Sequence, residues 1–508
     1  MTATEFTIDL SRPAPGTPRE AVLFPFDSFS IPLRKGLTLD LIASQPTRAE
    51  YNPVLVRGQP GTPDSFRIGY YGTVMQIDGQ YHMWYIADGD QDQVDQEKST
   101  PYRHICYAVS DDGVHWTRPS LGLVEYAGNR NNNLVQIEPG NIYRSCTVLY
   151  EPHDPDPARR FKLFWEGNEN FGYVAFSADG LVWRASKHNP VTRFMVEQTG
   201  LLAREGMYYV VGQMGRPAGC HHRVLGVLMS PDFEHWTDAA AIGFRRDPIP
   251  PRDYDWAKAG GPQVHLGAGL WDRGNVVVGL YGQWNGPPHD EDRRLLKMNL
   301  GLVITHDGLH YIEPIPDFKM IRSEEEDWSL DSFGAPPHIT QGQGFINHGE
   351  QTMTYYGQWG KTGNKQIRLA KWRRDRLGQF SPKRDLIEGQ IAPPYEKLVA
   401  DASPQRLLPC CITCPIILPE GGGQVFLNCS GVSDVANLTV AVLDRAFRPV
   451  PGYELADCQP VQTPGLRVPV RWRGGDRIRA AAGPIRLRIQ WGGVRFEDPI
   501  LYAAYVTA

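Results

Sequence analysis

Short alternating runs of apolar and polar residues, broken by Gly, Asp, Asn and Pro, fill residues 51–390 and predict strands rather than helices. The first group reads as a strand over 70–76, a turn at Asp78-Gly79, a strand over 81–85 and a third over 104–109. Asp-Gly between alternating apolar runs is a strong hairpin signal. The same order of strand, turn, strand, loop, strand returns four times. The runs are 145–149, 161–165 and 172–176; then 194–202, 207–211 and 223–229; then 263–271, 275–281 and 300–304; and finally 338–347, 351–356 and 366–372.

Four of these groups end in nearly one phrase: SDDGVHW at 110–116, SADGLVW at 177–183, SPDFEHW at 230–236 and THDGLHY at 305–311. Their last aromatics are 67, 53 and 75 residues apart, and YGQW at 281–284 returns 75 residues on at 356–359. Repeats of this length built from strands predict a propeller, here with five blades over residues 51–390. In each phrase the Asp is expected to cap the turn that leaves the third strand, with the aromatic packed between blades. Asp112, Asp179, Asp232 and Asp307 are therefore read as structural.

Residues 1–50 precede the first blade and are expected to form an arm that lends strands to ring closure. After 390 the pattern shifts to short strands over 424–428, 438–443, 466–472, 485–491 and 500–506, with Gly pairs in the turns. Residues 391–508 are expected to form a small β-sandwich. The fold class is thus all-β: a five-bladed propeller followed by a β-sandwich.

Composition narrows the function classes. The 52 basic and 57 acidic residues are well mixed, with a net charge of −5, so nothing points to nucleic acid. No apolar run reaches 18 residues, and no membrane-spanning helix is expected. The first residues lack a basic stretch followed by an apolar one, and the expected location is cytoplasmic. Eight scattered cysteines fit a reducing compartment. Cys411 and Cys414 form a C-x-x-C without a second ligand pair, so no metal or other cofactor is expected.

Several segments carry a resemblance. LTVAVLD at 438–444, PGY at 451–453, VPVRW at 468–472 and PIRLRI at 484–489 are similar to the sandwich that follows family 32-like propellers. NPVL at 52–55 and HMWY at 82–85 are similar to the opening blade of family 32/43-like bacterial proteins. In architecture the chain resembles the glycoside hydrolases of families 32, 43 and 68 over about 450 residues. It departs from family 32 in lacking the Trp-Met-Asn-Asp-Pro motif and the Glu-Cys pair, and its Arg246-Asp247-Pro248 falls in the wrong blade. The resemblance implies a small carbohydrate substrate and glycosidic cleavage, and leaves a homo-oligomer open.

It also implies a rule of address: the start of each blade's first strand and the end of its second line one rim. That rim holds four carboxylates read as catalytic: Asp64 or Asp88 as nucleophile or base, and Glu166 or Glu197 as acid. Glycosidic cleavage commonly uses two carboxyls, one protonated and one ionised. The substrate-binding set is Tyr71, Arg144, Gln213, His265, Gln283, Asp331, His338 and Gln358. Glutamines suit a polyhydroxylated ligand because the amide both donates and accepts. A phosphorylase of the family 130 kind, favoured by paired basic residues, and a non-catalytic carbohydrate-binding propeller are the alternatives.

Overall fold

The computed structural model describes residues 5–12, 19–44, 50–92, 102–140, 142–194, 196–215, 220, 222–246, 260–287, 295–325, 338–359, 366–383, 408–479 and 483–508. Among these the chain is strand and turn, with short helical turns such as Pro157–Arg159, Asn168–Asn170 and Ser323–Glu325.

Five antiparallel sheets follow one another along the chain. Sheet one is built from Arg67–Ile77, Gln80–Asp88 and His104–Ser110. Sheet two takes Thr147–Tyr150, Phe161–Glu166, Gly172–Ser177 and Val182–Ala185, with Gln136–Glu138 added in parallel at its edge. Sheet three is Val196–Arg204, Met207–Met214, Val224–Ser230 and Ala241–Phe244. Sheet four is Gly261–Asp272, Val277–Gly286 and Lys297–Thr305. Sheet five joins His338–Gln341 and Ile346–His348 to Gln351–Trp359 and Gln366–Arg373.

Each sheet touches the next, and the contacts run in a circle. Cys146 N–H donates to the Tyr71 carbonyl (2.7 Å) between sheets two and one. Gln198 Nε2 donates to Phe164 O (3.0 Å) between three and two, and Thr199 Oγ1 to Leu266 O (2.6 Å) between three and four. Gln341 Nε2 donates to His265 O (2.8 Å) and Gly267 O (2.9 Å) between five and four. Gln343 N–H donates to Gly72 O (2.9 Å) between five and one. A ring of twisted sheets packed face to face is a propeller.

The recurring phrases make one turn four times. Asp179 Oδ1 accepts from the N–H groups of Leu181 (2.8 Å) and Val182 (2.9 Å), Ser177 Oγ accepts from Gly180 N–H (2.9 Å), and Trp183 Nε1 donates to Gly180 O (2.9 Å). The bonds around Asp112, Asp232 and Asp307 match. Burial is the largest single influence and raises all four carboxyls, but the hydrogen bonds they accept together outweigh it and hold them below the usual range.

The ends of the chain differ from expectation. The arm does not close the ring. Glu20–Leu23 and Leu37–Leu41 enter a sheet with Gly378–Pro382, Gly423–Ser430, Gly465–Pro469, Arg477–Ile478 and Ile500–Thr507. Leu33–Lys35 enters the facing sheet with Cys410–Ile412, Asn437–Leu443 and Arg486–Gly492. The sandwich therefore draws strands from both sides of the propeller, because the edges of its C-terminal sheets need backbone partners that local sequence does not supply. Leu23, Leu37, Phe380, Val425, Leu438, Trp472, Ile489 and Trp491 share its core. A second core runs from Phe24, Phe26 and Tyr505 into Val278, Leu280, Ile339 and Trp372 of sheets four and five.

The ring is closed by Leu55–Val56, the outer strand of sheet five beside Gln366–Arg373. Val54 N–H donates to Ile367 O (3.0 Å). Asn52, buried, extends this ladder with its side chain: Nδ2 donates to Leu369 O (2.9 Å) and Oδ1 accepts from Leu369 N–H (2.8 Å). Asn52→Ala leaves both Leu369 backbone groups buried and unpaired, and is expected to cost about 2–4 kcal/mol. Urea unfolding with an unchanged m-value checks this; a change within about 0.5 kcal/mol would show that the side chain does not hold the closure.

Candidate active site

Because neighbouring strands run antiparallel, the end of each second strand stands beside the start of the first. Glu166 ends the second strand of sheet two, opposite Gly172. Glu197 lies at the start of sheet three and is paired directly with Gln213 near the end of the next strand. Directly opposed residues share a face of a sheet. The geometry so places Arg144, Glu166, Glu197 and Gln213, from two adjacent sheets, around one spot.

Glu166 is 2% exposed, and its Oε2 has no hydrogen-bond partner among the described residues. Among the described residues the cation paired with it is Arg144, whose Nε is 3.9 Å from Glu166 Oε1, too far for a hydrogen bond. The Arg144 backbone is fixed by its N–H donating to Glu166 O (2.9 Å). Burial drives the Glu166 carboxyl well above the usual range, the negative charge of Glu197 adds to this, and Arg144 only partly offsets both.

Glu197 is better served. Gln213 Nε2 donates to its Oε2 (3.0 Å). Burial raises this carboxyl too, but Arg223, then Arg144, then the Gln213 hydrogen bond pull it back. Glu197 therefore ionises first, and its charge keeps the proton on Glu166. Two carboxyls whose surroundings split their ionisation this way form an acid and a base, or an acid and a nucleophile.

The other expected carboxylates serve the fold. Asp64 has no exposure and accepts from Tyr85 OH (2.7 Å), Arg118 Nε (2.6 Å) and Thr62 Oγ1 (3.0 Å). Asp88, equally buried, pairs with Arg67 and accepts from Arg103 N–H (2.8 Å), although burial still raises its carboxyl. Both share the rim by address, but their oxygens are turned to arginines inside sheet one. The rest of that acidic loop is spent locally, Asp90 on Gly61 N–H (3.0 Å) and Asp92 on Gly89 N–H (2.7 Å) and His104 (2.9 Å). No group of three or more metal-binding side chains occurs among the described residues.

Several expected binding residues also face inward. Tyr71 packs between sheets one and two with Trp84 and Cys146. Gln283 donates to Tyr281 OH (3.1 Å) and Phe318 O (3.1 Å), within sheet four. His338 Nε2 sits 3.1 Å from Leu296 O, and Gln358 is bonded to Gln366. The His265 ring lies against Trp284, centroids 5.5 Å apart. Trp284 is itself buried, with the Arg223 guanidinium 4.6 Å over its ring. Asp331 lies outside the described residues.

Arg223 is the residue the rim rule missed. It precedes the third strand of sheet three, where Val224 pairs with Met214, so that strand also begins at this rim. Counting third-strand starts would have found it. Two cavities, of about 450 Å³ beside Asp317 and Arg322 and about 390 Å³ beside Arg103 and Tyr143, contain neither Glu166 nor Glu197.

No known family profile matches the chain, and no curated protein matches its sequence. Among solved structures, one is described with the GH130 family of mannoside phosphorylases, containing glycoside hydrolases that target β-1,2 mannosidic linkages in Candida mannan. It shares 13% identity over 67% of this chain and 97% of that one, at a TM-score of 0.44. A glycosyl hydrolase from Bacteroides ovatus shares 14% identity over 66% and 95%, at 0.44. The Bombyx mori GH32 β-fructofuranosidase shares 12% over 91% and 95%, at 0.38. Chemistry has to be read from the side chains themselves.

The raised Glu166 carboxyl has a sign that can be measured. A carboxyl whose folded pKa lies above its unfolded value stabilises the fold fully below about pH 4.3, and that contribution is lost as pH rises through the folded pKa. Glu166→Gln removes the titration while keeping the shape. Its melting temperature is expected to gain on wild type progressively from pH 5 to pH 8. A constant difference across that range would show that Glu166 is not held protonated.

Proposed function

We propose that this protein cleaves a glycosidic bond in a small oligosaccharide or glycoside, with Glu166 as the protonated acid and Glu197 as its ionised partner. The observation that carries this reading is the unequal pair: a buried carboxyl with an unpartnered oxygen beside one supported by Arg223, Arg144 and Gln213. Glu166 gives its proton to the leaving oxygen as the bond to the anomeric carbon breaks. Glu197 either takes a proton from the attacking water or attacks the carbon itself. A separation of about 5 Å between the carboxyls suits attack and about 6.5–9.5 Å suits an activated water.

A phosphorylase is the second reading, favoured by one observation: two guanidiniums, Arg144 and Arg223, act on the same carboxylate. Such a pair suits a phosphate oxyanion, which would then take the place of water.

The test is turnover of nitrophenyl and alkyl pyranosides and furanosides, with and without phosphate. Glu197→Gln is expected to lose activity about 10²-fold or more on every substrate. Glu166→Gln is expected to lose far more on alkyl glycosides than on nitrophenyl ones, because nitrophenolate leaves with little protonation. Turnover only with phosphate would select the second reading. Activity retained by both variants would remove this pair from the chemistry.

A further inference from the structure

Glu197 has one hydrogen-bond donor among the described residues, the Gln213 amide, and that amide is oriented from another sheet. Gln213 is buried, 3% exposed. Its Oε1 accepts from Leu266 N–H (3.4 Å) in sheet four, while Nε2 donates to Glu197 Oε2 (3.0 Å). A backbone N–H can only donate, so the oxygen must face Leu266 and the NH₂ must face Glu197. The flipped amide would set two donors against each other and the amide oxygen against a carboxylate.

Leu266 is held firmly enough to give this direction. It sits in a bulge of the first strand of sheet four, at φ +60°, followed by Gly267 at φ +71°. Non-glycine residues are rarely found there, and the neighbours hold the bulge in place. Thr199 Oγ1 donates to the Leu266 carbonyl (2.6 Å), and Gln341 of sheet five donates to the carbonyls on either side. A Cβ at Gly267 would fall 2.5 Å from the Gly212 Cα, so sheets three and four meet backbone to backbone one residue before Gln213.

We infer that Gln213 is a positioning residue: it transmits the Leu266 bulge of sheet four to Glu197, fixing the orientation of that carboxylate and favouring its ionised form. The charged groups acting on Glu197 are Arg223, ahead of the third strand of sheet three, Arg144 ahead of sheet two, and Glu166. The two arginines supply charge; Gln213 supplies direction. This inference rests on the reading of Glu166 and Glu197 as the reacting pair, and extends it to the residue that orients one of them.

The test reads the carboxyl directly in the full chain. With side-chain carboxyls of glutamate labelled with ¹³C, the Glu197 signal is assigned by its loss in Glu197→Gln and followed against pH. In Gln213→Met, similar in shape but without a donor, the Glu197 midpoint is expected to rise by about one pH unit. Gln213→Leu, equally neutral and without a donor, is expected to raise it as far. If Gln213→Met fails to fold, Gln213→Leu alone decides the matter. An unmoved midpoint in a folded variant overturns the inference.

Turnover of the glycoside panel separates this outcome from that of the function. With a shifted midpoint, kcat of both variants should fall and the acidic limb of the pH profile should move up, with KM little changed. A shifted midpoint with no glycoside turned over by wild type would keep the positioning role and remove the glycosidase reading.

Discussion

Each of the five sheets has two apolar faces and is too small to cover either one alone. That constraint governs the molecule. A stack of such sheets is stable only if it has no ends, so the first must find the last. The circle of contacts from Tyr71 through Gln198, Thr199 and Gln341 back to Gly72 is the consequence. The side-chain ladder of Asn52 on Leu369 fastens the first sheet's leading segment to the fifth sheet. Function inherits the same geometry, since a closed ring brings the starts of its innermost strands together around one axis.

At that axis the two neighbouring carboxyls are made unequal by their partners. Glu166 is buried with little to offset its charge; Glu197, half-buried, has two guanidiniums and an amide to offset its own. The asymmetry needs no difference in residue type. It arises from which strand end each glutamate occupies and which neighbours that end can reach.

The strands, their order and the turn phrases were legible because they are written in local pattern. The Asp179 turn, for instance, needs only residues 177–183. The rim address of Glu166 and Glu197 was legible too, since it follows from strand order. The identity of their partners was not. Asp64 and Asp88 share that address, yet Arg118, 54 residues beyond Asp64, and Arg67, directly across the hairpin from Asp88, claim their oxygens. Gln283 and Gln358 likewise look like rim amides in sequence and turn toward their own sheets. Arg223 was missed because third-strand starts were left out of the rule. The fate of the arm was hidden for a related reason: pairing of Leu33–Lys35 with Cys410–Ile412 depends on residues far apart in sequence.

That arm sets the order in which the molecule can be made. Strand 20–23 pairs with Ile500–Thr507 and strand 37–41 with Gly378–Pro382, so each is made long before its partner. At about 5–20 residues per second, roughly half a minute or more separates strand 20–23 from Ile500–Thr507. Until those partners emerge, the arm carries unpaired strand edges with apolar faces. The nascent chain is thus exposed to chaperones and to pairing with its neighbours on a polysome until the sandwich closes.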